Sequence, residues 1–239
     1  MKLRSMMFVG AAALTTAALA TDVLTDTKTL GWMRVDSTLP ITAVGVPWTD
    51  VSDPTANVKV ADLVKTDNLT AGDKLYVYNN GTWLFYQLNA SKEWEAGATA
   101  NSSVTPVQAG TPGTATIARG QALYLERQNP TTPGCFYVYG ADGSEITSTT
   151  LSGAKKYLVA SPKAAAFTVT SAKISGASNK DVIQVPLTGG TSRIYQYFMT
   201  KNKWRCNGKW EGDDGYEEIP LGTGFWYLAA STDAITVTW

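Results

Sequence analysis

The sequence predicts an all-β protein: two tandem, similar β-sandwich or small β-barrel modules after a signal peptide. Three observations carry that reading. Apolar and polar residues alternate with period two along most of the chain, in runs rich in Val, Tyr, Trp and Thr. Gly, Asn and Pro turns cut these runs, and helical spacing stands out only once. Short segments of the first half also recur, in the same order, in the second.

In chain order, Lys2 and Arg4 precede an apolar run from Met6 to Leu14 and a small-residue end, Ala18-Leu19-Ala20. These are the three zones of a secretory signal, so residues 1–20 are expected to be cleaved on export. That places the protein in the periplasm, on the cell surface or outside the cell. Met6 to Ala20 is shorter than the roughly 20 apolar residues that a membrane helix needs. No later segment is apolar enough, and the mature chain is expected to have no transmembrane helix.

The first module is read as 21–141 and the second as 142–239, with the boundary where Tyr139-Gly-Ala-Asp-Gly143 interrupts the strand pattern. Each is near the size of about 100 residues that one core supports. In the first, the helix candidate follows Asp53-Pro54, with Val60, Leu63 and Val64 at helical spacing. A hairpin comes next: Leu75 to Leu88 alternates on both sides of Asn80-Gly81, a pair suited to the positive φ angles of a type I′ turn. Gly97 to Gly113 and Asn129 to Gly134 read as loops, the first a long surface loop. In the second module a hairpin is expected to turn at Lys201-Asn202, and Ala234 to Trp239 to form the closing strand.

The repeat rests on four matches in order. Val44-Gly-Val-Pro47 pairs with Val159-Ala-Ser-Pro162, and Leu75-Tyr-Val-Tyr78 with Ile194-Tyr-Gln-Tyr197. Lys92-Glu-Trp-Glu95 pairs with Lys209-Trp-Glu211, and Ile117 to Leu125 with Ile219 to Tyr227. These motifs resemble a group of exported bacterial repeat proteins, whose tandem β modules carry a Ser/Val-Pro step, a Tyr-rich hairpin and an Ile-Pro-x-Gly-x-Gly-Phe-Trp strand. The second copy holds that last pattern at Ile219 to Trp226, whereas the first has Ala118 for Pro and Ala122 for the second Gly. The resemblance implies architecture and export, and no activity is assigned to the group.

Turn geometry predicts which side chains share a face. A turn at Asn80-Gly81 sets Tyr76, Tyr78, Trp83 and Phe85 on one face and Leu75, Val77, Leu84 and Tyr86 on the other. A turn at Lys201-Asn202 groups Tyr195, Tyr197, Met199, Trp204 and Cys206 against Gln196, Phe198, Arg205 and Asn207. The aromatic face recurs while its opposite turns polar, so the aromatic faces are expected to be core and not a sugar-stacking platform.

Composition then limits function. Loss of Lys2 and Arg4 leaves 18 of the 20 basic side chains against 20 acidic ones, without the basic stripe that nucleic acid requires. There is no histidine, which excludes Ser-His-Asp and Cys-His catalysis and the usual zinc sites. No nucleotide-binding loop is present, and nothing calls for a cofactor. The two cysteines, Cys135 and Cys206, can pair in an oxidising compartment or lie buried as free thiols, and both readings stay open.

Carboxylates are the remaining supply of chemistry: Glu93, Glu95, Glu211, Asp213, Asp214, Glu217 and Glu218. A glycosidase needs two of them across a cleft. Asp213, Asp214 and Glu217 are weak calcium candidates whose spacing fits no EF-hand loop. The expected function is that of an exported, non-catalytic surface or binding protein. It would recognise a glycan or a surface protein through Trp94 and Trp210, which stand beside Glu95 and Glu211 in loop-like sequence. A structural or adhesive cell-surface repeat protein is the alternative. A carboxylate-dependent glycosidase and an outer-membrane β-barrel, which the terminal strand resembles, are minor ones, because Pro47, Pro162, Pro186 and Pro220 break the long strands a barrel requires.

Overall fold

The computed structural model describes residues 30–37, 40–53, 55–65, 69–79, 81–130, 134–141, 146–153, 155–163, 165–187 and 191–239. The expected signal peptide, residues 1–20, lies outside them. The fold is all-β, and among the described residues no helix is long and apolar enough to cross a membrane.

The first half contains β1 (Leu30–Ser37), β2 (Ile41–Gly45), β3 (Val58–Lys59), the one-turn α1 (Val60–Leu63), β4 (Val64–Lys65), β5 (Lys74–Asn79), β6 (Thr82–Leu88), β7 (Trp94–Ala96), β8 (Val107–Ala109), β9 (Thr116–Ile117), β10 (Ala122–Glu126) and β11 (Gly134–Ala141). The second contains β12 (Ser148–Leu151), β13 (Lys156–Val159), β14 (Ile174–Ser175), β15 (Val182–Pro186), β16 (Ser192–Phe198), β17 (Lys203–Cys206), β18 (Lys209–Trp210), β19 (Phe225–Leu228) and β20 (Ile235–Thr238). The small sheets have the orders β1-β11-β4 and β12-β20-β14. The large ones run β2-β10-β5-β6-β7, with β8 added beside β6, and β13-β19-β15-β16-β17-β18. In each half, therefore, the last strand is the centre of the small sheet, between the first strand and one short strand. The second and penultimate strands join the central hairpin in the large sheet.

Register identifies counterparts between the halves. Val44 opposes Leu123 as Val159 opposes Phe225, and Leu75 opposes both Leu125 and Tyr86 as Ile183 opposes both Tyr227 and Tyr195. Two of the sequence matches, Val44 to Pro47 and Ile117 to Leu125, thus occupy corresponding positions. The other two do not. The counterpart of Leu75 to Tyr78 is Ile183 to Pro186, and Trp94, opposite Leu88, corresponds to Trp204, opposite Tyr197, and not to Trp210. A Tyr-x-Tyr pattern recurs on many strands, and only the neighbours across the ladder say which strand it is.

A buried aspartate opens each central hairpin. Asp73 accepts hydrogen bonds from the N–H of Thr70 (2.9 Å) and Gln128 (2.7 Å), and Asp181 from the N–H of Ser178 (2.8 Å) and Ala230 (2.7 Å). The preceding residue holds positive φ in both, Gly72 at 94° and Lys180 at 80°. The remaining partner differs: the Arg127 guanidinium, its Nε 3.1 Å from Asp73, in the first half, and the Tyr227 hydroxyl, 2.7 Å from Asp181, in the second.

The first hairpin has the expected register, Tyr78 opposite Trp83 and Tyr76 opposite Phe85, and Gly81 takes φ 91°. The second is joined by Met199–Asn202, four residues, so Tyr197 faces Trp204 and Tyr195 faces Cys206. This shift of two keeps side-chain parity. Tyr195, Tyr197, Trp204 and Cys206 still point into the second core, while Met199 leaves the strand and is 58% exposed.

In the first half it is Leu75, Val77 and Tyr86 that meet the half's own core, with Val44, Leu123, Leu125 and Val138. The aromatic face is buried elsewhere. Tyr76, Trp83 and Phe85 cluster with Ala122 and with Leu158, Ala160 and Trp226 of the second half. Trp226 packs edge-on against Tyr78 (5.3 Å) and Trp83 (5.8 Å), with the Lys156 ammonium 4.1 Å over its ring.

Contacts between the halves are reciprocal. Val44 bridges Thr223 as Val159 bridges Gln121, and Gly45 N–H donates to Gly222 O (2.8 Å) as Ala160 N–H donates to Gly120 O (2.8 Å). Counterpart residues exchange roles, as at an isologous dimer interface. Glycine permits the approach: a Cβ on Gly45 would lie 2.5 Å from that of Ala160, and one on Gly224 2.6 Å from that of Ala122.

Burial also predicts alkaline sensitivity. Tyr86 and Tyr195 are fully buried, and desolvation pushes each hydroxyl from 10 to about 12, with Arg193 working against the rise at Tyr195. The unfolded chain loses these protons first, so the stability they contribute below about pH 10 is lost as pH climbs towards about 12. Denaturation midpoints should fall over that interval while phenolate absorbance lags. A midpoint constant across it would contradict the burial.

Candidate functional site

The outward faces of the two large sheets are built alike and finished differently. In the first half the face is covered twice. The second half covers Tyr76, Trp83 and Tyr124 at one side. From the other, β8 pairs in parallel with β6, setting Trp83 opposite Val107 and Phe85 opposite Ala109. Trp83 N–H donates to Pro106 O (3.0 Å), and Phe85 O accepts from Gly97 (3.2 Å) and Gly110 (2.9 Å). Val104 and Val107 pack on the rings, so part of the expected long surface loop is also a cover. Glu126 fastens it, accepting from Tyr76 Oη (2.9 Å), Lys74 Nζ (2.9 Å) and Ser103 Oγ. Burial opposes the Glu126 charge, but these three donors outweigh it and hold the carboxyl below its ordinary value.

In the second half the first half covers the same face at Leu158 and Trp226, but over β16, β17 and β18 it stays open. Successive residues of β16 point to opposite sides. With Tyr195 and Tyr197 inside, Ile194, Gln196 and Phe198 face outward, and Ile194 is 43% exposed. Arg205 and Lys203 are exposed on β17. Trp210, opposite Arg205, is half-buried, standing edge-on to Phe198 (5.3 Å, 71°) with the Arg205 guanidinium 5.4 Å above its ring.

The residues singled out from sequence are scattered. Trp94 is 6% exposed and sits in the first core, so it offers no ligand a surface; a three-residue strand holds it there where the sequence read as a loop. Glu95 is exposed beside it. Trp210 is on the open face of the other half. Glu211 turns its carboxylate inward, accepting from Ser171 N–H (2.7 Å), Ser171 Oγ (2.6 Å) and Trp204 N–H (3.1 Å), and so acts as a structural bracket.

Asp213 accepts from Trp210 N–H (2.9 Å), Glu217 is engaged by Arg193 and by Asn207 Nδ2 (2.8 Å), and Asp214 faces solvent. Among the described residues no three His, Cys, Asp or Glu gather as a metal site. Cys206 is a free, buried thiol and is not bonded to Cys135. It points into the second core, whereas Cys135 lies on β11 of the first half with its side chain outside the described set. Burial, reinforced by the Glu217 charge, raises the Cys206 thiol above its ordinary value.

A depression of about 310 Å³ lies on the first half, lined by Asp50, Val51, Ser52, Val58, Lys59 and Asp62. It holds none of the expected site residues, and hydrogen bonds from Ser52 already hold Asp50 below its ordinary value.

No family model, curated protein or solved structure matches the chain. Its function must be argued from its own surfaces. Of these, the open face of the second half combines exposed apolar side chains, a tryptophan and an arginine. Sequence parity had already set Gln196, Phe198 and Arg205 on the side away from the core. It missed Ile194, because nothing local distinguishes an uncovered strand from a covered one.

Proposed function

We propose that this is a non-catalytic binding protein, exported through residues 1–20 and made of two modules, 21–141 and 142–239, that holds a partner protein on the outward face of β16, β17 and β18. The observation that supports this is the contrast between the halves. The same sheet face is sealed by β8 and the opposite half in one, and left with Ile194, Phe198, Arg205 and Trp210 accessible in the other. Trp and Arg are the side chains most often found at the energetic centres of interfaces. A protein partner fits better than a glycan, since sugar stacking needs an open ring face and Arg205 stands over that of Trp210.

Trp210→Ala and Arg205→Glu are expected to leave folding within about 1 kcal/mol of the parent, as surface changes do. Each should lower binding to envelope proteins of the producing cell at least about tenfold, a loss of about 1.4 kcal/mol. Trp94→Ala should do the opposite, costing about 3–5 kcal/mol of stability while the folded fraction binds normally. Affinities unchanged in both face variants would remove this function.

A further inference from the structure

The open face ends in an open edge. β16 pairs with β15 over Ser192–Gln196 but with β17 only over Tyr195–Phe198, so no described strand borders Ser192, Arg193 and Ile194 on the outer side. Their counterparts in the first half are Trp83, Leu84 and Phe85, the three residues on which β8 lies. No described strand of the second half covers that edge. After Cys206 the chain turns through Asn207 (φ 49°) and Gly208 (φ 82°) into β18, which returns along β17.

Backbone direction is settled by one bond: Tyr197 N–H donates inward to Asp181 O (3.0 Å) on the β15 side. Alternate residues of an antiparallel strand direct their amides to opposite sides, so Ser192 and Ile194 present theirs to the free edge. In the first half the amide that corresponds to Ser192 is that of Trp83, bonded to Pro106 O. No proline or bulge interrupts Ser192–Ile194, and the one charged side chain there, Arg193, turns in to Glu217 and to Glu218 O and leaves the outward amides of its neighbours uncapped.

We propose that Ser192–Ile194 is a strand-addition site, at which an extended segment of a partner protein pairs in parallel with β16 and lays an apolar side chain near Ile194, as β8 does on β6. Main-chain bonds would supply the affinity and the side-chain position the selectivity. The occupant is a Val-x-Ala-like peptide, because Val107-Gln108-Ala109 is what this architecture accepts at the equivalent place. The proposal rests on reading the face as a docking surface and adds how the partner is held.

The test appends residues 106–112 to the C-terminus of the full chain through a flexible Gly/Ser linker, which raises the local concentration to the millimolar range. Amide hydrogen exchange at Ser192 and Ile194 is then compared with that of a chain carrying a scrambled segment. Exchange at both amides is expected to slow at least about tenfold, and Ser192→Pro, which removes one outward N–H, should abolish the effect with only the small fall in melting temperature that loss of the Gln184 Nε2–Ser192 Oγ hydrogen bond brings. Unchanged exchange in the tethered chain overturns the proposal. So does an untethered chain that dimerises through this edge and becomes monomeric as Ser192→Pro, since the occupant is then a second copy. If Ser192→Pro retains envelope-protein binding while Trp210→Ala loses it, strand addition fails and the face remains a docking surface.

Discussion

Replacing Asp73 with alanine is expected to cost about 3–5 kcal/mol of folding stability, the usual penalty for stranding one member of a buried ion pair. Arg127 is 2% exposed at its side chain and Asp73 is fully buried, so water cannot take over the guanidinium. The variant also releases the amides of Thr70 and Gln128. Asp181→Ala should cost at least about 3 kcal/mol by a different route, since a buried donor left unbonded costs about 1–3 kcal/mol and three are freed: Ser178 N–H, Ala230 N–H and the Tyr227 hydroxyl. Burial, and next the hydrogen bond with Asp181, hold that hydroxyl well above its ordinary value.

The counterpart positions allow a sharper experiment. Leu125 corresponds to Tyr227 and Arg127 to Ala229, so Leu125→Tyr with Arg127→Ala installs the second half's arrangement around Asp73. Chemical denaturation should show this double variant to be more stable than Arg127→Ala alone. Losses below about 1 kcal/mol in Asp73→Ala would mean that the pair is solvated in solution.

The second large effect is expected at the junction. Trp226→Ala should cost about 3–5 kcal/mol, the range for deleting a buried tryptophan. Unlike Trp204→Ala, which opens a cavity inside one core, it removes the ring that touches Tyr78, Trp83 and Tyr124 across the boundary. Besides the loss of stability, small-angle scattering should show a larger radius of gyration as the halves separate. Gly224→Val should do the same by forcing a side chain against Ala122. A radius unchanged in both variants would show that the reciprocal backbone contacts at Gly45 and Ala160 hold the junction without the rings.

Much of the local structure was legible. Asn80-Gly81 announced its turn, and the register of Tyr78 with Trp83 followed from it. Tyr195, Tyr197, Trp204 and Cys206 have the parity the sequence predicts although their loop is two residues longer than expected, because a shift of two returns each side chain to the same side. The buried aspartates leave a local signal: Thr70 and Ser178 stand three residues before Asp73 and Asp181, as a carboxylate bonding back to an amide requires. The candidate site was half legible. Trp210 lies on the open face, but Trp94 was paired with it through shared Glu neighbours, when its structural counterpart is the buried Trp204.

The sequence by itself determined that this chain forms strands, where its first hairpin turns and which side chains alternate together, because these depend on neighbours a few residues apart. Which of two alternating faces meets its own core, which meets the other half and which meets solvent was decided only by the tertiary structure. Trp83 is sealed by Val107 and by Trp226, residues far along the chain from it, whereas Ile194, on an equivalent strand, has no such neighbour among the described residues and is 43% exposed. A strand carries two faces of nearly equal apolarity here, and local sequence cannot rank them when what covers each arrives from elsewhere in the chain.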